Sequence, residues 1–182
     1  ARESFIDQFV TQDTKKISWS RSLKASVGQS RKINWEISKI VPSIYRPFQR
    51  QWLYFDKHLD EVLYQIPQIF PTGIEDNRLI CIAGAGDRAG SALMVAAIPN
   101  FHTMDTGQCF PRYLYDLAPD AGSLFSGTGK GEISRRDAIS DNAISLFKST
   151  YPNMAITADD IFYYTYGILH SEEYQGKYSD NL

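Results

Sequence analysis

The chain has 182 residues, enough for one domain with a real core, and its 43% hydrophobic and 22% charged residues exclude a disordered, collagen-like or coiled-coil chain. Its longest purely apolar run, Ala92 to Ile98, is far shorter than the roughly 20 residues that cross a bilayer, and residues 1–25 lack a secretory layout, so a soluble cytoplasmic protein without a membrane partner is expected. A net charge of −2 argues against a uniformly basic nucleic-acid binder, but residues 1–60 carry 11 Lys and Arg against 6 Asp and Glu, leaving 8 against 15 beyond them.

The opening ARESFIDQFV has no initiator methionine and reads as the middle of a longer sequence, so a piece of a larger polypeptide is expected. Phe5, Ile6, Phe9 and Val10 fall at helical spacing, and Ile17, Trp19 and Leu23 are candidates for burial. After the basic GQSRK, the alternation of Ile33, Trp35 and Ile37 suggests a strand that Pro42 closes. The segment 44–56, IYRPFQRQWLYFD, is dense in aromatics and Arg; Pro47 restricts Arg46 to extended backbone, and Trp52 to Phe55 reads as a strand. Two prolines and a glycine make 60–73 a connection or short helix.

RLICIAG then reads as a buried strand, GAGDRAG as a loop, and SALMVAAI more as a strand than a helix. CFPRYLYD is a further strand, with Tyr113 and Tyr115 alternating against Leu114, and APDAGSLFSGTGKGE is loop. Ser134 with Asp137 resembles a capping box opening a helix to about Thr150, with Ala138, Ile139, Ala143, Leu146 and Phe147 as its stripe. Thr157 with Asp160 caps another, which places Ile161, Tyr164, Thr165, Ile168 and Leu169 on one face, and Ser171 restarts a last one. Strands in the middle and helices at the end predict one α+β domain over 1–182, with a central mixed or antiparallel sheet and a helical part at 134–182.

Chemistry-bearing motifs are sparse. Gly84-Ala85-Gly86-Asp87-Arg88-Ala89 fits GxGxxA after a strand, the layout of a dinucleotide turn, but the strand-like run behind it favours a tight polar turn. GTGKG at 127–131 lacks the P-loop's hydroxyl after Lys130 and holds Leu124 where that motif needs glycine, so no ATP site is expected. His58, His102 and His170 are scattered, and neither they nor Cys81 and Cys109 have paired metal spacing; no metal site is predicted. The two cysteines read as small buried hydrophobes in a reducing compartment. No GxSxG elbow or carboxylate pair stands out, so no catalytic residue is assigned.

The Arg and aromatic segment is the most informative local feature, because Arg forks bind phosphate or guanine edges beside planar rings. Its plainer account places Tyr45, Phe48, Trp52, Tyr54 and Phe55 in the core, with Arg46 paired to a carboxylate, and that account is favoured for most of them; Arg50 is the better contact candidate.

KISWSRSL, IYRPFQRQWLYFD, CFPRYLYD and ITADDIFYYTYGILHSEEY, in that order and spread over the chain, resemble the C-terminal region of type ISP single-polypeptide restriction-modification enzymes. One departure is Gln175, where relatives often have Arg. The resemblance implies a parent with a nuclease, a helicase-like ATP-driven motor and an N6-adenine methyltransferase, using ATP, Mg and S-adenosylmethionine, ahead of this target-recognition region. The methyltransferase signature NPPY and the motor motifs are absent here, so no cofactor is expected in this piece. Its partners would be double-stranded DNA and the parent's methyltransferase and motor domains. Phosphate contacts are expected from Arg21, Lys24, Arg31, Lys32 and Arg50, and base-proximal ones from Arg88, Gln108, Lys130, Arg135 and Arg136, with readout in the major groove. The competing readings are a module that docks on the methyltransferase without reading bases, and a nucleotide- or S-adenosylmethionine-binding domain using Gly84 and Gly86.

Overall fold

The computed structural model describes Ala25, Gln29 and residues 34–60, 62–84, 91–105, 107–116 and 133–178. The predicted elements before residue 25 lie outside these. The described chain is α+β, with three small sheets and helices mostly towards the C-terminus. Strands β1 (Ile40–Arg46) and β2 (Gln49–Tyr54) form an antiparallel hairpin. Strands β3 (Leu79–Ile82) and β4 (Ala92–Val95) are antiparallel, and β5 (Ile98–Pro99) joins β1 in parallel. Strand β6 (Gln108–Pro111) flanks β3, and β7 (Tyr113–Asp116) pairs with β8 (Ser134–Asp137). The sheet orders are therefore β2-β1-β5, β4-β3-β6 and β7-β8.

Helix α1 (Ile66–Ile69) lies within 60–73, where the sequence predicts a connection or a short helix, and is followed by α2 (Asp141–Thr150), α3 (Ala158–Leu169) and α4 (Glu172–Lys177). The main core joins the first two sheets and α1: Val41 and Ile98 meet Leu79, Cys81 and Val95, with Ile69 and Phe70. Because side chains alternate along a strand, Ile80 faces the other way. There it lines an open cavity of about 300 Å³ with Phe110, Leu114, Ile139, Phe162 and Thr165, against which α3 lies.

Two polar side chains fix the sheets to each other. Buried Asn77 donates from Nδ2 to the carbonyls of Ile69 (3.1 Å) and Tyr113 (2.9 Å), and its Oδ1 accepts from the backbone N–H groups of Arg78 and Tyr113. Its hydrogen-bonding capacity is thus fully used, as burial requires. Arg112, only 5% exposed, donates to Asp137 on β8 (2.6 Å) and to Asp159 at the start of α3. With Pro111 unable to donate a backbone hydrogen bond, this inward turn splits CFPRYLYD, expected as one strand, into β6 and β7.

Three other expectations are corrected. Ile37–Lys39 is a 3-10 turn, stapled by Lys39 Nζ, which meets Glu36 and Asp56 at 2.8 Å each, and Trp35 and Ile37 are exposed, so their alternation does not mark a buried strand. Pro42 lies inside β1 rather than closing a strand; β5 pairs only with Ser43 and Ile44, so beside Pro42 the strand has one neighbour and a missing N–H is tolerated. Ser134 and Asp137 belong to β8, not to a helix: Asp137 is held by Arg112, and α2 starts after Ser140, whose hydroxyl accepts from Ala143 N–H. The later caps are as read from sequence. Thr157 and Asp160 form a reciprocal capping box on α3, and Ser171 caps α4.

Candidate nucleic-acid interface

The β1–β2 hairpin carries the Arg and aromatic segment. The inner residues Val41 and Ser43 are buried, and the Ser43 hydroxyl donates to the carbonyl of Ile98 at 2.9 Å. The period of two along β2 puts Arg50, Trp52 and Tyr54 together on one face and Gln51 and Leu53 on the other. Tyr54 stacks on Trp35 with ring centroids 4.8 Å apart and a 12° tilt. Its hydroxyl accepts from Glu36 N–H and donates to the Asn34 carbonyl. Trp35 and Trp52 are 70% and 73% exposed, so an open row of planar rings runs towards Arg50.

At the tip, Phe48 is 90% exposed and has φ +65°. Left-handed backbone is rare for a bulky aromatic and costs about 1–2 kcal/mol relative to the right-handed region. The preceding Arg46 is anchored: Nη1 donates to the carbonyl of His102 at 3.0 Å, and the guanidinium lies 5.2 Å from the Tyr45 ring centroid. The expectation that Arg46 pairs with a carboxylate is therefore replaced by a backbone carbonyl. The core assignment of the aromatics fails for Phe48 and Trp52, and for Tyr45, which is 41% exposed; Tyr54 and Phe55 are half-buried. Arg50 is exposed and its side chain makes no ion pair or hydrogen bond among the described residues, which leaves its guanidinium available to a ligand.

The other predicted contacts are dispersed. Gln108 is exposed at the start of β6, opposite Ile82. Arg135 and Arg136 are on β8, not in a loop, and adjacent strand residues point to opposite faces. The Arg135 guanidinium lies 4.2 Å from the Tyr113 ring centroid, with Arg112 at 4.3 Å from the same ring. Arg136 Nε reaches Asp116 Oδ1 at 3.3 Å, both more than half exposed, a pairing weak enough to exchange for phosphate. The four described candidates thus occupy three sheets, and no hydrogen bond or ring contact joins them among the described residues. Arg21, Lys24, Arg31, Lys32, Arg88 and Lys130 lie outside the described residues.

Sequence reasoning missed the exposure of Trp35, Phe48 and Trp52 and the inward placement of Arg112. The available signal was the polar company of Trp52, which follows Gln49, Arg50 and Gln51. The nucleotide reading loses its context. Behind Gly84 the chain returns as β4, antiparallel to β3, where a dinucleotide turn requires a helix. Among the described residues no three His, Cys, Asp or Glu side chains converge on a metal position, and no helix is long and apolar enough to cross a membrane.

A family model described as the Type ISP C-terminal specificity domain matches residues 1–182. Of solved structures, a cryoEM structure of a DrdV-DNA complex is 30% identical, with a TM-score of 0.76 over 95% of this chain and 16% of that one. The ATP-dependent Type ISP restriction-modification enzyme LlaBIII bound to DNA is 25% identical, with a TM-score of 0.75 over 98% and 11%. A nuclease-deletion mutant of the Type ISP enzyme LlaGI, in complex with a DNA substrate mimic, is 31% identical, with a TM-score of 0.67 over 100% and 12%. The chain thus spans between 11% and 16% of these three chains. No curated protein matches it.

Proposed function

The chain belongs to the Type ISP C-terminal specificity domain family, and from that premise we propose that it reads duplex DNA sequence for a parent restriction-modification enzyme. The whole-length family match carries this reading, supported by three structural neighbours that are DNA complexes. Nuclease, ATP-driven motor and N6-adenine methyltransferase, with their ATP, Mg and S-adenosylmethionine, belong to other parts of that parent, which works in the cytoplasm. The helical part faces those domains: α2 buries no residue, and Leu146 on it and Met154 just beyond it are each 64% exposed.

In this reading the β1–β2 hairpin lies against the duplex. Arg50, whose guanidinium has no partner among the described residues, neutralises a phosphate, and the planar surfaces of Trp52 and Phe48 rest on sugar and base edges. Residues of the loops and of β6 and β8, with Gln108, Arg135 and Arg136 among the candidates, approach the major groove. A phosphate contact positions the protein without carrying sequence information. Accordingly, Arg50→Ala in the parent should weaken binding to cognate and scrambled duplexes by the same factor, and should reduce the slope of log K against log salt by about one. Fluorescence anisotropy over a salt series measures both; unchanged affinity and slope would remove the hairpin from the interface.

A further inference from the structure

Cys81 and Cys109, 28 positions apart in sequence, are register partners on antiparallel β3 and β6. Both are free thiols, and their sulfurs are hydrogen-bonded at 2.8 Å. The ladder around them fixes which kind of pair they form. Arg112 N–H donates to the Arg78 carbonyl at 2.7 Å, one pair beyond Leu79 and Pro111, and Pro111 has no N–H to give. Hydrogen-bonded pairs alternate along an antiparallel ladder, so they fall at Arg78/Arg112, Ile80/Phe110 and Ile82/Gln108, leaving Cys81/Cys109 non-hydrogen-bonded. At such a pair the Cα atoms are about 4.5 Å apart and the side chains close, inside the range of about 4.4–6.8 Å that a disulfide spans.

The two thiols are not equivalent. Cys81 is fully buried, whereas Cys109 is partly open. The hydrogen bond to Cys109, and then burial, push the Cys81 thiol up, while the same hydrogen bond holds Cys109 below the usual thiol range. Cys109, the more open of the two, is therefore the sulfur that an oxidant meets first, and the fully buried Cys81 is the resolving group behind it.

We propose that Cys81 and Cys109 form a thiol-modification site that reacts with small disulfides of the glutathione class to give a cross-strand disulfide. The Cys109 thiolate attacks one sulfur of the oxidant, whose S–S bond breaks; a mixed disulfide forms at Cys109 and one small thiol leaves with a proton. The Cys81 sulfur then attacks the Cys109 sulfur, its proton leaving with the second small thiol. Two protein thiols are oxidised and one small disulfide is reduced to two thiols. The new bond ties β3 to β6 one pair before Ile82 and Gln108, where the backbones already touch: a Cβ on Gly107 would sit 1.7 Å from the Ile82 carbonyl oxygen. It closes a covalent loop from residue 81 to residue 109 and holds Gln108, the residue of β6 before Cys109, against Ile82.

The test treats the folded chain with oxidised glutathione, blocks remaining thiols with N-ethylmaleimide under denaturing conditions, and measures intact mass. The expected product has lost two hydrogens, takes up no maleimide, returns to two thiols with dithiothreitol, and unfolds at a higher denaturant midpoint. A glutathione adduct should accumulate at least about tenfold more in urea than in native buffer, because the fold presents the resolving thiol. Cys81→Ala should stop at the adduct on Cys109. Two thiols still open to maleimide, or a persistent adduct on native wild-type protein, would overturn the proposal, and both readouts use the unmutated chain.

Discussion

Phe48 holds a backbone conformation that glycine adopts without cost, and it presents nine-tenths of its surface to solvent. Among the described residues no packing repays that strain, and the proposed DNA contact gives the ring a role outside the domain. Phe48→Gly should leave stability unchanged or raise it by up to about 1 kcal/mol, while weakening DNA binding by the parent. Urea unfolding and anisotropy on the same variant check both halves; a variant that is less stable yet binds normally would contradict the assignment. Asp56 shows a different residue-scale balance. Burial alone would raise its carboxyl, but the hydrogen bond from Lys39 and that from the His58 N–H outweigh burial and hold it below the usual carboxylate range. A carboxyl depressed in the folded state stabilises fully above its unfolded pKa, near 3.9, and loses that contribution as pH falls through the folded value. The melting temperature should therefore drop on acidification below about pH 4, and the gap between wild type and Lys39→Met should narrow over the same interval. A gap that widens on acidification would contradict the pairing.

At the scale of elements, Arg112 connects parts that are distant in sequence. It lies between β6 and β7 and reaches β8 through Asp137 and α3 through Asp159, so CFPRYLYD and ITADDIFYY meet through one guanidinium. Those two segments carry much of the family resemblance, and this contact gives them a structural role. Removing either carboxylate leaves Arg112 the other; removing both strands a buried charge. Asp137→Ala and Asp159→Ala should each cost about 1 kcal/mol, and the double variant about 3–5 kcal/mol, more than their sum. Simple additivity in urea unfolding would show the two pairs to be independent. The same connection explains what could be read locally. The caps of α3 and α4 are complete within four residues, and Thr157, Asp160 and Ser171 announce them in sequence. Strand β8 depends on a partner more than 17 residues earlier and on Arg112, so Ser134 and Asp137 looked like a cap when read alone. The exposure of Trp52 had one local mark, its place after Gln49, Arg50 and Gln51, but alternation by itself does not say which face of a strand meets the core.

For the whole molecule, the α+β architecture, the buried strand β3, the half-buried strand β4 and the helical C-terminal end followed from apolar runs and periodicity, which a core of this size must have. The site was less legible. Phosphate and base contacts need exposed Arg, Lys and Gln, which any solvated surface also needs, and the described candidates are spread over three sheets. Family membership locates the function in the domain, while its geometry nominates the β1–β2 hairpin within it. The most direct measurement is to replace residues 1–182 in the parent with the equivalent region of a relative and to map N6-methyladenine across a genome. The account predicts that the methylated motif switches to the relative's. An active chimera that keeps the original motif would place sequence reading elsewhere in the parent and leave this domain as a docking module.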